Sequence, residues 1–226
     1  MMPFPGGLSG DANGSLIFGV LFALSYLMML RHEPSWRRTV AKTAGVLCLA
    51  LLAVQRDGPM LLVAALLLSA AGDAFLAQRG ERAFMAGLVS FLLAHIAYVA
   101  LFAMSGEGIG LAVAEAWRIA LALAILVAVG MLLRLLWPAL TATLRGPVAL
   151  YASAILGMGL TALTMPAPLV IAGAVLFMAS DSLLAVGKFL LPAEARPQAW
   201  IQPLVWVLYF TAQTAIVLGF LLQGLG

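Results

Sequence analysis

Eight apolar stretches, each close to the length of a bilayer crossing, succeed one another along this 226-residue chain with only short polar breaks between them. Their bounds are roughly 15–30, 39–55, 59–78, 83–104, 112–136, 146–165, 167–191 and 199–223, the second being short. A hydrocarbon core of ~30 Å needs about 20 mostly apolar residues per helix, because lipid offers the backbone no hydrogen-bond partner. The breaks "RHEPSWRR", "RDGP", "RGER", "SGEG", "LRGP", "MPAP" and "PAEARPQ" supply glycine, proline and charge where the chain must turn. This pattern predicts an all-α, polytopic membrane protein in which residues 1–226 form a single domain of eight transmembrane helices. No soluble domain fits between them.

Composition points the same way. Hydrophobic residues make up 64% of the chain and charged ones only 9%, against about 25% charged in soluble domains. A basic balance would hint at nucleic acid in a soluble protein, but here the placement of the charges explains it and no nucleic-acid partner is expected. Cys48 is the only cysteine, which excludes an internal disulfide or a cysteine-rich metal site and reads as packing. No basic segment precedes the first apolar stretch and no clear cleavage site follows it, so it is read as a membrane helix.

The twelve basic residues fix an orientation. Arg31, Arg37, Arg38, Lys42, Arg79, Arg82, Arg134, Arg145, Lys188 and Arg196 fall after the first, third, fifth and seventh helices, while Arg56 and Arg118 alone fall on the other side. That asymmetry predicts that the ten face the cytoplasm and both termini face away from it. An integral protein of a bacterial inner (plasma) membrane is the expectation.

Two aspartates stand inside the oily runs and are dressed alike, in "SAAGDAFLA" (69–77) and "FMASDSLLA" (177–185). Asp73 and Asp181 lie on the third and seventh helices, which run in the same direction, roughly 7–10 Å inside the cytoplasmic face at 1.5 Å per residue. Their similarity suggests a parallel repeat of four plus four helices. Each intramembrane charge costs ~2.5–3.5 kcal/mol or more unless paired or hydrated, so both are functional candidates. The plainer alternative is a pair of helix-pinning contacts to basic neighbours such as Lys42 or Lys188. Lys42 and Tyr151 fall at similar depth; His95 and Tyr98, and Tyr209 and Gln213, form same-face pairs nearer mid-membrane.

Some chemistry is poorly served by this set. With His32 in a loop and His95 as the only histidines, a zinc hydrolase is not expected, and no "GxSxG" elbow occurs. Two carboxyls in a low dielectric resist ionising together, so one keeps a proton while the other stays basic. That is an acid–base pair, suited either to hydrolysis or to proton relay.

The segments "SAAGDAFLA", "FMAGLVSFLLAHIAYVALF", "GAVLFMASDSLLAVGKF" and "YFTAQTAIV" occur in the order and spacing of the YhhN-like membrane proteins, the lysoplasmalogenase family, which the chain resembles over roughly residues 40–220. One departure is "KTAG", where the family often follows the lysine with proline. The resemblance implies an eight-helix membrane enzyme that hydrolyses the vinyl-ether bond of lysoplasmalogens to a fatty aldehyde and glycerophospho-ethanolamine or -choline, without a cofactor or metal. The lysophospholipid substrate and membrane lipids are its implied partners; oligomeric state leaves no mark in the sequence. Carried over by position, Asp73 and Asp181 would be catalytic, and Lys42, His95, Tyr98, Tyr151, Tyr209 and Gln213 would bind or orient the substrate. The competing reading is a proton-coupled transporter built on the two aspartates.

Overall fold

Lipid leaves a spanning segment no choice but to satisfy its own backbone, so apolar runs of this length become helices. A computed structural model of the chain describes residues 2–7, 10–30, 32, 35–78, 80–192 and 198–223. Among these lie nine α-helices: α1 Asp11–Met29, α2 Trp36–Gln55, α3 Met60–Leu76, α4 Glu81–Ser105, α5 Ile109–Ala114, α6 Ala116–Leu136, α7 Ala142–Ala162, α8 Pro168–Phe189 and α9 Gln198–Leu222. A short 3₁₀ turn, Trp137–Ala139, extends α6. Seven of the eight expected apolar segments are each one helix, with ends displaced by a few residues, and the fifth is divided between α5 and α6. Six helices are long and apolar enough to cross a membrane, namely α1, α2, α4, α6, α8 and α9. The chain is therefore a polytopic integral membrane protein. α3 is apolar but only 17 residues long, and Arg145, Thr and Gly residues dilute α7.

The expected fifth helix, 112–136, is interrupted. Glu115 adopts extended backbone between α5 and α6, and its carboxylate accepts a hydrogen bond from Arg118 Nε at 2.6 Å. The other breaks follow local chemistry. Ser35 caps α2 by accepting from Arg38 N. α2 ends with Asp57 at positive φ, and Gly58 N donates to Ala53 O at 2.8 Å, a left-handed C-terminal cap that Pro59 then prevents from continuing. Arg31, Arg79 and Arg196, three of the ten residues used to orient the chain, lie outside the described residues.

α1 packs on α2, α2 on α3 and α3 on α4; α8 runs along α9; α4 meets α7 and α2 meets α9. These contacts make one continuous apolar core that includes Leu49, Leu66, Tyr98, Phe102, Phe177 and Ile216. α6 is the least buried of the six long apolar helices and α9 the most. The outer faces carry exposed aliphatics such as Met28, Met104 and Met131, as a lipid-facing surface does.

Candidate functional site

Asp73 lies in the last turn of α3, and Asp181 two turns before the end of α8. Both are buried, with 1% and 9% of their surface accessible. A carboxyl so placed needs partners, and two other helices supply them in each case. Lys42 on α2 sets Nζ 2.8 Å from Asp73 Oδ1, and Tyr209 on α9 donates to Oδ2 at 2.9 Å. Tyr151 on α7 donates to Asp181 Oδ2 at 2.6 Å, and His95 Nε2 on α4 stands 3.5 Å from the same oxygen.

The partners are crossed between the two halves of the chain. Within α1–α4 and within α6–α9, the aspartate sits on the third helix. Each takes one partner from the second helix of its own half and one from the fourth helix of the other half. His95 Nδ1 lies 2.6 Å from the carbonyl oxygen of Phe91. A carbonyl only accepts, so Nδ1 carries a hydrogen, and Nε2 is the ring atom that faces Asp181.

Behind the carboxyls, Tyr98 on α4 donates to Gln213 Oε1 on α9, and both side chains are fully buried. Phe177, one turn before Asp181, fills the space among them. Its ring centroid lies 4.8 Å from that of His95, 5.3 Å from Tyr209 and 6.2 Å from Tyr98, edge-on in each case. The eight residues singled out from the sequence thus gather in one constellation. Asp73, Asp181, Lys42 and Tyr209 line a cavity of about 930 Å³. Tyr151 and Asp181 border a second, smaller one. His95, Tyr98 and Gln213 stand behind the carboxyls and border neither.

The larger cavity also reveals residues that the sequence did not single out. Gln78, Glu81, Ser180 and Gln202 add to its polar lining, beside Arg38 and Lys188, which the sequence had marked as basic residues but not as site residues. Tyr26 and Trp206 pack edge-on with ring centroids 4.5 Å apart, and Lys42 Nζ lies 5.8 Å from each ring. Trp206 Nε1 donates to Ala23 O at 3.0 Å, tying α9 to α1. Trp206 is three residues before Tyr209, and that same-face spacing was a usable signal. Tyr26, on the first helix, had none. Among the described residues no three His, Cys, Asp or Glu side chains gather as a metal site would require. What the arrangement offers is two carboxyls in different company, one beside an ammonium and one beside a phenol and an imidazole, on a shared cavity. Such a pair can deliver a proton at one point and accept one at another.

The model for the YhhN family matches residues 37–220. Proteins named lysoplasmalogenase from Mycobacterium bovis and Mycobacterium tuberculosis are each 38% identical to this chain over 164 residues, 70% of its length. The chain spans 59% of the length of these mycobacterial relatives. A Bos taurus protein named lysoplasmalogenase TMEM86A is 28% identical over 210 residues, covering 85% of this chain and 81% of that protein. No solved structure matches. With the matched region running from the start of α2 almost to the end of α9, and so over every residue of the constellation, the chain belongs to the YhhN family.

Proposed function

We propose that this protein is a lysoplasmalogenase, a membrane-embedded hydrolase that cleaves the vinyl ether of a lysoplasmalogen to a fatty aldehyde and a glycerophospho-ethanolamine or -choline. One observation carries the reading: two buried carboxyls with different partners border one cavity whose walls carry both charged and apolar side chains. The names of the mycobacterial and bovine relatives support the same substrate class.

A vinyl ether opens when a proton reaches the carbon β to its oxygen, leaving an oxocarbenium ion that water captures. The hemiacetal then loses the glycerol oxygen and becomes the aldehyde. In this reading Asp73 and Asp181 divide the donor and acceptor roles. Lys42 steadies Asp73; Tyr151 and Tyr209 hold the carboxyls by hydrogen bonds; His95, Tyr98 and Gln213 position them from behind. The residues suffice without a cofactor.

The eight-span reading, with both termini away from the cytoplasm, belongs to this proposal, as do the single domain of residues 1–226 and the bacterial inner membrane as its location. The parallel four-plus-four repeat is supported by the crossed partners of the two aspartates.

The test is purified protein in detergent, given vinyl-ether, alkyl-ether and acyl lysolipids side by side. Aldehyde is expected from the vinyl ether alone, and Asp73→Asn and Asp181→Asn are each expected to abolish it while the protein stays folded. Fatty acid released from the acyl lipid would redirect the site to ester cleavage. No product from any of the three would leave the transporter reading.

A further inference from the structure

Beside the large cavity lies a smaller one of about 80 Å³, bordered by α4, α6, α7 and α8 and by Leu76 of α3. Apart from Tyr151, Asp181, Ser182 and Lys188 its walls are apolar, with Leu132, Leu136, Val148, Ala152 and Ile155 among them. The two cavities adjoin. Leu76, Phe84, Phe91, Leu184, Lys188 and Phe189 belong to the linings of both and lie where the two meet. Phe84 and Phe189 pack edge-on there at 6.2 Å. Of the two aspartates, Asp181 borders both spaces and Asp73 only the larger one.

Resting on the vinyl-ether reading above, we infer that the smaller cavity receives the alkenyl chain, and that Asp181, at the junction, is the proton donor to the β-carbon. A lysoplasmalogen changes from polar to apolar at its vinyl ether, and the β-carbon is on the apolar side of that point. With the head group in the large cavity and the chain in the slot, the reacting carbons fall on the boundary that Asp181 shares. Tyr151 and His95 hold Asp181 through Oδ2; Oδ1 has no hydrogen-bond partner among the described residues, which leaves it to face the lipid. Asp73, beside Lys42 and on the polar side, takes the proton of the attacking water.

The protons balance around the pair. Asp181 gives its proton to the β-carbon, and the carbon attached to oxygen becomes cationic. Water adds to that carbon and yields one proton to Asp73. As the hemiacetal collapses, its hydroxyl proton returns to Asp181, the carbon–oxygen bond to glycerol breaks, and Asp73 passes its proton to the departing oxygen. One water is consumed, and both carboxyls are restored. Past the slot, the rest of the chain leaves along α6, whose inner residues Leu132 and Leu136 line the cavity while Met131 and Leu135 face outward.

The assignment is tested by photolabelling, which needs no turnover. A saturated alkyl-ether lysolipid carrying a diazirine at the second chain carbon is expected to label Asp181; moved several carbons along, the diazirine is expected to label Leu132, Val148 or Ala152. Label on Asp73, or none in either position, overturns the inference. In parallel, Ala152→Phe is expected to lower kcat/KM for a long-chain vinyl ether by about tenfold or more, the scale of a methylene or two in an apolar pocket, and to lower that for a short-chain vinyl ether by a clearly smaller factor. Equal effects on both chains, or none, would remove the slot. Leu132→Ala, which enlarges it, gives the same comparison should the phenylalanine not fold. Labelling at Asp181 with no aldehyde from the wild type would sink the vinyl-ether reading and leave the binding mode standing. Aldehyde release with label on Asp73 would do the reverse.

Discussion

Lys42 and Asp73 form an ion pair with 15% and 1% of their side chains accessible, and an isolated charge at that depth has nothing to replace its lost hydration. Removing one member of a buried pair typically costs about 3–5 kcal/mol, whereas replacing both by neutral groups of similar shape is far cheaper. Lys42→Met alone should therefore lower thermal stability in detergent markedly, and adding Asp73→Asn should recover part of the loss. A double variant whose destabilisation equals the sum of the two single ones would mean that the ion pair carries no coupling energy. The aspartates, Lys42 and His95 were legible in the sequence because a titratable group in an oily run stands out by its energetic penalty. A contact to Lys42 was one reading of the aspartates, and Asp73 makes it; the other pairings were not legible, since Tyr209 reaches Asp73 across 136 positions and Tyr98 reaches Gln213 across 115. Phe177 gave no signal at all: an apolar ring in an apolar run shows its role only when His95, Tyr98 and Tyr209 close around it.

At the scale of elements, close approach of helices sets the carboxyls in place. A Cβ added to Gly72 would lie 2.6 Å from the ring of Phe91, so the bare backbone lets α4 seat that ring beside Asp73. Gly72→Leu should push α3 and α4 apart and lower activity strongly through a residue with no chemistry of its own, a loss that aldehyde release per folded molecule would record. A different device holds the far end of the bundle. Arg118, 3% exposed, donates to the carbonyls of Leu163 and Met165 at 2.7 and 2.8 Å, just past the end of α7. Hydrogen bonds from a charged donor contribute about 1.5–3 kcal/mol each. Arg118→Met is thus expected to lower the unfolding temperature while the surviving protein keeps its kcat, and a variant as stable as wild type would dismiss the staple. In the sequence Glu115 and Arg118 read as neighbours within one continuous helix. Three residues is the spacing of a helical pair, and nothing local reveals that Glu115 has left the helix to end α5. Beside that break Arg118 meets carbonyls 45 and 47 positions away, which no local pattern announces.

For the molecule as a whole, the large cavity gathers residues from one set of helix ends: Tyr26 near the end of α1, Arg38 and Lys42 at the start of α2, Leu76 at the end of α3, Phe84 at the start of α4, Lys188 at the end of α8 and Gln202 at the start of α9. The sequence assigned basic residues to these same connections, and cytoplasmic loops carry such an excess. In the proposed topology the two facts put the opening of the cavity on the cytoplasmic side, and under the proposed function the head group of a lysolipid enters from the inner leaflet. A lysolipid added to inside-out vesicles should therefore meet the site directly and release aldehyde at once. The same lipid added to right-side-out vesicles must first cross the bilayer, so its aldehyde should follow a lag that vanishes when detergent opens the membrane. An alkaline phosphatase joined after α9 should be active and a fluorescent protein at the same point dark, because in the proposed eight-span topology both termini share the face away from the cavity. Prompt hydrolysis in the right-side-out vesicles, or a bright C-terminal fluorescent protein, would turn the bundle over. The ten-to-two division of basic residues would then need a different cause.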